Sequence, residues 1–286
     1  MSLRRVISSA LRTGPLHHAS HGPPPPEGED LGPALTEDAP PLGELSAKRT
    51  EGAIVFERRT CGSVTVHIAA ARATLRPSGA LWLEEEGALV VADLHLEKGS
   101  AFASRGQLLP PYDTRDTLRR LAMEADALRP RMIVMLGDAF HDGRAEERLA
   151  ADDIASLFAI ALGRTIVWVV GNHDPSPPEN LPGDAVDDLD LAGLLLRHEP
   201  SPGAAPREAA GHLHPCARIK ADGRSVRRRC FVTDGERLIL PAFGAYAGGL
   251  NVRDVAFAGL FSRAPLTVAL GARKAHPVAW RSVGGE

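Results

Sequence analysis

The chain has 286 residues, of which 44% are hydrophobic and 24% are charged, and it contains only 3 cysteines. This composition is typical of a globular protein and excludes collagen-like, wholly disordered and disulfide-framework proteins. The formal net charge is −3 at pH 7. A nucleic-acid binder that depends on overall charge is therefore excluded, and any phosphate-binding surface has to be a local basic patch or a metal site.

Residues 1–50 differ in composition from the rest of the chain. They contain clustered prolines and histidines, few large apolar residues and no apolar periodicity. Such a segment cannot bury enough apolar surface to offset the entropy cost of ordering it. We therefore predict a disordered, proline-rich extension over residues 1–50 and one folded domain over residues 51–286.

The targeting and cysteine patterns favour a cytoplasmic protein. The apolar run Val6–Leu11 is too short for a secretory signal, and no run of about 18 apolar residues predicts a membrane span. Cys61, Cys216 and Cys230 are odd in number and lack metal-ligand or redox spacing. We expect them to be free thiols that pack as small core residues, and we expect no membrane partner.

Two kinds of strand are predicted in the first half of the domain. Short alternating apolar runs broken by Gly and Pro predict antiparallel or edge strands. Nearly continuous apolar runs predict parallel strands buried on both faces. The first kind covers residues 54–56, 64–66 and 80–83, and the second covers residues 88–92, 132–136 and 166–170.

Helical patterns separate the three buried strands. One runs from Leu118 to Leu128, with its start near Asp113, and the other runs from Ile154 to Ala161 and ends before Gly163. This alternation predicts a βαβαβ unit with parallel strands and crossover helices.

After about residue 175 the chain becomes rich in loops and carries no internal repeat. Its apolar runs are short and are separated by Pro and Gly, a pattern that predicts a second, more antiparallel sheet. The runs lie at residues 194–196, 229–232 and 238–240.

Polar clusters follow each of the three buried strands. They are Asp93-Leu94-His95, Gly137-Asp138 and Gly171-Asn172-His173-Asp174. Because parallel strands point the same way, these clusters are expected to meet at one edge of the sheet, where open α/β proteins bind ligands. Two histidine segments occur later in the chain, so seven oxygen and nitrogen donors are expected to converge: Asp93, His95, Asp138, Asn172, His198, His212 and His214.

This donor set predicts two metal ions. Carboxylate, amide and imidazole ligands without thiolate suit Mn²⁺, Fe or Zn²⁺. Seven ligands are too many for one tetrahedral ion, but they suffice for two ions that share a bridging carboxylate. Two divalent ions, two carboxylates and a bridging hydroxide leave about one net positive charge, which attracts a phosphodiester and stabilises its transition state.

In their order along the chain, these motifs resemble the calcineurin-like metallophosphoesterase superfamily over roughly residues 88–245. The resemblance implies an α/β fold, a four-layer sandwich of two mixed β-sheets flanked by helices. The chain is similar, more narrowly, to the bacterial ligase-associated DNA damage response endonucleases. The extension before residue 51 is not part of that pattern. The closer similarity is carried by residues 92–99, 136–142, 211–215 and 240–244, with Phe102, Arg105-Gly106 and Leu109-Pro110.

The resemblance also implies roles for individual residues. His173 would contact the scissile phosphate and assist the leaving oxygen, and Asp174 would orient the His173 ring. A bridging hydroxide would attack phosphorus in line with the departing sugar oxygen. One ion would be bound by Asp93, His95, Asp138 and His214, and the other by Asp138, Asn172, His198 and His212.

The function predicted in this way is a Mn²⁺-dependent phosphodiesterase that acts as a DNA endonuclease in DNA repair. Single-stranded DNA is the expected substrate, and an ATP-dependent DNA ligase, a helicase and a nuclease are the expected partners. Two alternatives stay open: a phosphoesterase of small nucleotides or phosphomonoesters, and a non-catalytic scaffold in a repair complex.

The candidate substrate contacts are Arg105, in a predicted loop over Gly99–Pro111, and Tyr246, Arg227 and Arg228. The two later arginines belong to a basic stretch that either follows DNA phosphates or is a solvated strand–turn–strand. Phe102, Tyr112 and Tyr246 either stack on bases or belong to the local core. The stretch consists of Arg218, Lys220, Arg224, Arg227, Arg228 and Arg229, opposed only by Asp222.

Overall fold

The computed structural model describes residues 54–107, 109, 110, 112–176, 178–221 and 224–285. The predicted extension over residues 1–50 lies outside these ranges. Within them, no helix combines the length and the apolar character that crossing a membrane requires.

The first sheet has eight strands that lie side by side in chain order. The neighbours from β1 to β5 are antiparallel. The neighbours from β5 to β8 are parallel. The strands are β1 (Phe56–Arg58), β2 (Val64–Ile68), β3 (Ala71–Leu75), β4 (Leu81–Leu83), β5 (Ala88–Ala92), β6 (Met132–Leu136), β7 (Thr165–Val169) and β8 (Asp184–Val186).

Among the described residues, two helices connect β5 to β6 and two connect β6 to β7. Leu118, Leu121 and Leu157 pack against the outward side chains of β5 to β7, so α2 and α4 cover one face of the sheet. The start predicted for α2 agrees with the structure, whereas the predicted Gly99–Pro111 loop is helical as far as Ala103. The helices are α1 (Lys98–Ala103), α2 (Asp113–Leu128), α3 (Ala145–Arg148) and α4 (Ala151–Ala161).

The second sheet is also mixed. Its order is β16-β15-β13-β14-β11-β10-β9, and β12 pairs with β13 and with β17. The β10–β11 and β11–β14 pairs are parallel, and the other pairs are antiparallel. The strands are β9 (Asp188–Leu191), β10 (Leu194–Arg197), β11 (Glu208–Ala210), β12 (Cys216–Ala221), β13 (Arg224–Thr233), β14 (Arg237–Ile239), β15 (Leu266–Leu270), β16 (Ala275–Ala279) and β17 (Val283–Gly284).

The two sheets pack face to face. Val90 and Val134 of the first sheet share one buried cluster with Leu196, Phe231 and Leu238 of the second. Burial of side chains from both sheets removes apolar surface from water, which is the main favourable term in folding. The predicted class, an α/β sandwich of two mixed sheets, is confirmed.

The outer face of the second sheet is covered in a different way from that of the first. Ala217 of β12 and Val283 of β17 pack there with Cys230 and Val252. A 3₁₀ helix at Val255–Phe257 lies on the same side as part of a neighbouring apolar cluster. Among the described residues, short strands and loops therefore form this layer in place of α-helices.

The cysteine prediction is correct for two of the three residues. Cys216 and Cys230 are buried and form no disulfide, whereas Cys61 is exposed. Cys61 lies in the turn between β1 and β2, where the chain leaves the sheet and the side chain has no core to enter.

Candidate metal centre

The predicted donors follow the carboxyl ends of parallel strands in both sheets. Asp93 comes directly after β5, and Asp138 and Asn172 lie in the loops after β6 and β7. His198 directly follows β10, and His212 lies in the loop after β11. Because β10 and β11 are parallel neighbours, their carboxyl ends lie at the same edge of the second sheet. The histidines that follow them are therefore placed at the site in the same way as the polar residues that follow the parallel strands of the first sheet.

Strained backbone conformations turn the donors toward a common centre. Non-glycine residues seldom adopt positive φ because Cβ then crowds the neighbouring carbonyl, so clusters of such residues mark functional sites. Five of the seven predicted donors have this conformation: Asp93 (φ 53), His95 (φ 46), Asp138 (φ 45), His212 (φ 67) and His214 (φ 44).

Two glycines make room for these side chains. A Cβ on Gly137, which has φ 69, would lie 2.1 Å from Nδ1 of His198. A Cβ on Gly211 would lie 2.6 Å from Oδ2 of Asp93. The Gly-Asp and Gly-His motifs therefore have a steric cause, because a side chain at either glycine would displace a donor.

The first group of donors consists of Asp93, His95 and His214. Nε2 of His95 lies 3.2 Å from Nε2 of His214. Nε2 of His214 also lies 3.4 Å from Oδ1 of Asp93. Two imidazole nitrogens and one carboxylate oxygen thus converge on a single point.

The second group consists of Asp138, His198 and His212, with Asn172 beside it. Nε2 of His198 lies 3.2 Å from Nδ1 of His212 and 2.9 Å from Oδ1 of Asn172. The same nitrogen lies 3.4 Å from Oδ2 of Asp138.

Asp138 lies between the two groups. Its Oδ2 is 3.9 Å from Nε2 of His95 and 3.4 Å from Nε2 of His198, so the carboxylate reaches both groups. Its Oδ1 accepts a hydrogen bond of 2.9 Å from the backbone N–H of His173. Asp93 joins the two sheets, because its carboxylate accepts hydrogen bonds from the backbone N–H of His212.

The protonation states in the centre suit metal binding. Burial, together with the neighbouring His214, holds the pKa of His95 well below its usual value, and burial and His198 lower the pKa of His212. Burial alone would raise the pKa of Asp138, but His198, His95 and the His173 N–H hold it well below its usual range. Neutral imidazoles and ionised carboxylates are the forms that bind metal, so His95, His212 and Asp138 fit divalent cations. The hydrogen bond to Asp138 and the charge of Asp93 outweigh burial and raise the pKa of His198, so its imidazole has to release a proton when a cation binds.

His173 lies at the open rim of the centre. Its side chain is exposed, and its ring is 5.2 Å from the His95 ring. Nδ1 of His173 lies 2.9 Å from the backbone carbonyl oxygen of His141, which can only accept a hydrogen bond. Nδ1 therefore carries the proton, and Nε2 stays free for a ligand.

The predicted contact between Asp174 and the His173 ring is wrong. Oδ2 of Asp174 accepts a hydrogen bond of 3.0 Å from the backbone N–H of Phe140, and the carboxyl group is buried. Burial, together with the charge of Asp138, raises the pKa of Asp174 to about 7. The carbonyl of His141 holds the His173 ring instead, and Asp174 anchors the loop that carries Asp138.

His141 is a site residue that the sequence analysis did not select. Its ring stacks on His173 at 5.5 Å and contacts Phe102 at 5.8 Å. Burial and the charge of Lys98 lower the pKa of His141 to about 4. The sequence feature that could have identified His141 is its position three residues after Asp138, in the same loop.

The aromatic candidates differ in their surroundings. Phe102 packs against the His141 ring and therefore belongs to the local structure of the site. Tyr246 is half-buried, and its hydroxyl donates a hydrogen bond of 2.9 Å to the carbonyl of Pro110. Tyr112 is 60% exposed, so its ring is open to solvent.

The arginine candidates do not form one patch. Arg105 is exposed, in the turn after α1. Arg227 donates to the carbonyl of Gly249, whereas Arg228 donates to the carbonyl of Arg227. Because Arg227 and Arg228 are consecutive in a strand, their side chains lie on opposite faces of it, and one surface cannot present both.

The chain is similar to a known family and to solved structures. Residues 88–222 match the calcineurin-like phosphoesterase family. The nuclease MPE of Pseudomonas putida is similar in structure, with a TM-score of 0.58 and 28% identity, over 76% of this chain and 100% of that chain. YfcE, a phosphoesterase from E. coli, aligns with a TM-score of 0.33 and 17% identity over 67% of this chain and 98% of that chain. No curated protein sequence matches the chain.

A two-sheet α/β sandwich with clustered aspartates and histidines at the ends of its parallel strands defines a metal-dependent phosphoester hydrolase. Residues 88–222 of this chain are similar to calcineurin-like phosphoesterase domains.

Proposed function

We propose that this protein is a DNA endonuclease that cleaves single-stranded DNA during DNA repair, with two Mn²⁺ ions in the centre. One ion is assigned to Asp93, His95, Asp138 and His214, and the other to Asp138, Asn172, His198 and His212. The observation that carries the proposal is the convergence of two donor groups on the shared Asp138 at an exposed rim. The likeness to a nuclease of Pseudomonas putida supports a nucleic acid as the substrate class. The choice of DNA rests on the resemblance of the motifs to the ligase-associated DNA damage response endonucleases.

The residues of the chain account for binding and proton transfer. Bound divalent ions supply positive charge and lower the pKa of coordinated water. Asn172 and His173 are exposed, so a phosphodiester within a long strand can approach the centre from solvent. His173, with its Nδ1–H held by the His141 carbonyl, presents Nε2 to the departing sugar oxygen. In the imidazolium form, which carries a proton on each ring nitrogen, Nε2 donates its proton to that oxygen and the ring returns to the neutral Nδ1–H form.

The cellular setting is a further part of the proposal. We infer a cytoplasmic protein that acts beside an ATP-dependent DNA ligase, a helicase and a second nuclease. The support is the similarity of the motifs to the ligase-associated endonucleases, and co-purification of tagged protein with these three enzymes tests it.

The proposed activity is tested with circular single-stranded DNA and Mn²⁺, beside a small chromogenic phosphodiester. A circle has no ends, so its conversion to linear DNA requires endonucleolytic cleavage. Asp138→Ala is the inactive variant. Asp190→Ala, which removes an exposed aspartate from β9 at the edge of the second sheet, is the matched control.

We expect wild type and Asp190→Ala to open the circle and Asp138→Ala to leave it intact. Turnover of the chromogenic ester without cleavage of the circle would assign the site to small substrates. Bound metal without either activity would favour the scaffold alternative. Parallel reactions with Zn²⁺ and Fe²⁺ identify the metal that supports the highest rate.

A further inference from the structure

The hairpin of β12 and β13 has two chemically different faces. Residues opposite each other in an antiparallel pair share a face, and the faces alternate along each strand. Arg218 lies opposite Arg227, and Cys216 lies opposite Arg229. Lys220, two residues beyond Arg218, is on the same face. Four cations therefore share one face of the hairpin.

The other face of the hairpin is attached to the core. Ala217 and Ile219 pack in a cluster with Val283 and Trp280. This packing fixes the orientation of the hairpin, because turning it over would expose Ala217 and bury Arg218. The basic face is consequently held toward solvent by the apolar contacts beneath it.

Two cations of the basic face have side chains without a partner among the described residues. The side chains of Arg218 and Lys220 form no ion pair or hydrogen bond with any of those residues, and the Arg227 side chain donates to the backbone carbonyl of Gly249. Lys220 and Arg227 are exposed, and Arg218 is half-buried. The positive charges of Arg218, Lys220 and Arg227 are not neutralised by a described acidic group, so these three side chains are available to bind an external anion.

The basic face adjoins the candidate metal centre through residues 242–250, here called the rim segment. Arg229 donates a hydrogen bond of 2.8 Å to the carbonyl of Ala242. At the other side of the rim segment, the N–H of Gly244 donates to the carbonyl of Asp93 at 3.1 Å. The N–H of Leu250 donates to the carbonyl of His214 at 3.2 Å.

A further cation meets the rim segment from the side of α1. Nζ of Lys98 donates a hydrogen bond of 3.0 Å to the carbonyl of Tyr246. Two cations therefore contact the rim segment, Arg229 from the hairpin and Lys98 from α1.

We propose that the basic face of the β12–β13 hairpin is a binding track for the sugar–phosphate backbone of the DNA strand outside the cleaved phosphodiester. Alternate residues of a strand are about 7 Å apart, so the cations form a line and not a point. An extended polyanion can follow such a line, whereas a small phosphoester occupies one position. This inference rests on the proposed function, because it assigns a surface to the same substrate.

The test compares two double variants with the same change in net charge. Arg218→Ser/Lys220→Ser removes two cations from the basic face, and neither side chain has a described partner. Arg224→Ser/Arg228→Ser removes two exposed cations from the opposite face of the same hairpin. Equal melting temperatures for both variants and wild type verify that the fold is intact.

The measurements are the affinity for a fluorescent single-stranded oligodeoxynucleotide, its salt dependence, and turnover of the small chromogenic phosphodiester. We expect the first variant to bind DNA about tenfold more weakly at moderate salt, with a salt slope smaller by about 1.4, since each single-strand phosphate contact contributes about 0.7. The second variant is expected to bind like wild type. Both are expected to turn over the small ester at the wild-type rate.

Equal affinity of the two double variants for DNA would overturn the track, because the effect would then depend on net charge or be absent. That result leaves the endonuclease proposal intact if wild type still opens the circle. If wild type hydrolyses the small ester but neither binds nor cleaves DNA, the proposed function fails and the track fails with it.

Discussion

Individual residues at the centre combine unfavourable conformations with favourable chemistry. Asp93, His95 and Asp138 adopt positive φ in buried surroundings, at a cost of roughly 1–3 kcal/mol each. The surrounding hydrogen bonds offset this cost, for example the bonds from the His212 N–H to Asp93 and from the His173 N–H to Asp138. These residues hold charged groups close together, where a metal ion can neutralise them.

The His173 side chain is expected to act in turnover and not in metal binding. His173→Ala removes the nitrogen proposed to protonate the leaving oxygen, so we expect the rate of DNA cleavage to fall by about 10²- to 10⁴-fold. Bound metal, measured by plasma emission spectroscopy, is expected to equal that of wild type. A cleavage rate within a few-fold of wild type would remove this role from His173.

Asp234 is expected to make stability depend on pH. Burial alone would raise its pKa, but the N–H groups of Arg237, Ser262 and Glu236 and the Ser262 hydroxyl lower it below the usual value. A depressed folded-state pKa contributes stability above the unfolded value of about 3.9, and the contribution is lost as pH falls through the folded-state pKa.

We expect Asp234→Asn to lower the free energy of unfolding by about 1–3 kcal/mol at neutral pH. The difference from wild type is expected to shrink as the solution is acidified below about pH 4. Urea unfolding of both proteins across this range measures it. A difference that stays constant with pH would contradict the assignment to the Asp234 carboxylate.

At the scale of elements, a buried ion pair joins two parallel strands. Glu208 of β11 lies beside Arg237 of β14 in the register of the sheet, with 2.9 Å between Oε1 and Nε. Arg237 is fully buried, and its other nitrogens donate to the carbonyls of Ser201, Gly203 and Leu260. The pair therefore ties the first residues of β11 and β14 to two loops, one that carries Ser201 and Gly203 and one that carries Leu260.

Removal of one partner of this pair leaves a buried charge without compensation. We expect Glu208→Gln to lower the free energy of unfolding by about 3–5 kcal/mol. The control is Glu147→Gln, whose partner Arg144 is exposed, and it is expected to leave the urea midpoint unchanged. Similar small effects in both variants would mean that the carbonyls alone satisfy Arg237.

At the scale of the whole molecule, the centre is shared between the two sheets. Asp93, His95, Asp138 and Asn172 come from the loops of the first sheet, and His198, His212 and His214 come from the second. An ion that binds donors from both sheets binds only the state in which the sheets are packed together. Metal binding and sheet packing are consequently linked.

We expect Mn²⁺ to raise the melting temperature of protein that has been stripped of metal with a chelator. At a metal concentration 100 times the Kd, linkage gives about 2.7 kcal/mol, or about 5–10 °C for a chain of this size. Asp190→Ala is expected to show the same rise and Asp138→Ala a much smaller one. An unchanged wild-type melting temperature in calorimetry would argue against a metal shared by the sheets.

Local patterns in the sequence were sufficient for the elements around the centre. The runs at residues 88–92 and 132–136 coincide with β5 and β6, and the polar clusters after them supply the donors. The β3 strand was missed because small and charged residues, such as Ala71 and Arg72, give it no clear alternation. Strand burial and strand ends depend on nearby residues, so they can be predicted from periodicity.

Contacts between distant parts of the chain were decided only by the tertiary structure. Asp174 accepts a hydrogen bond from the Phe140 N–H, and the His141 carbonyl holds the His173 ring. These contacts depend on how separate loops pack, and the placement of Arg227 and Arg228 on opposite faces depends on the register of the hairpin. The sequence by itself determined the class of fold and the set of donors, because both follow from short motifs. Tertiary packing decided which hydrogen-bond partner orients each side chain of the centre, because those partners come from segments that are far apart in the chain.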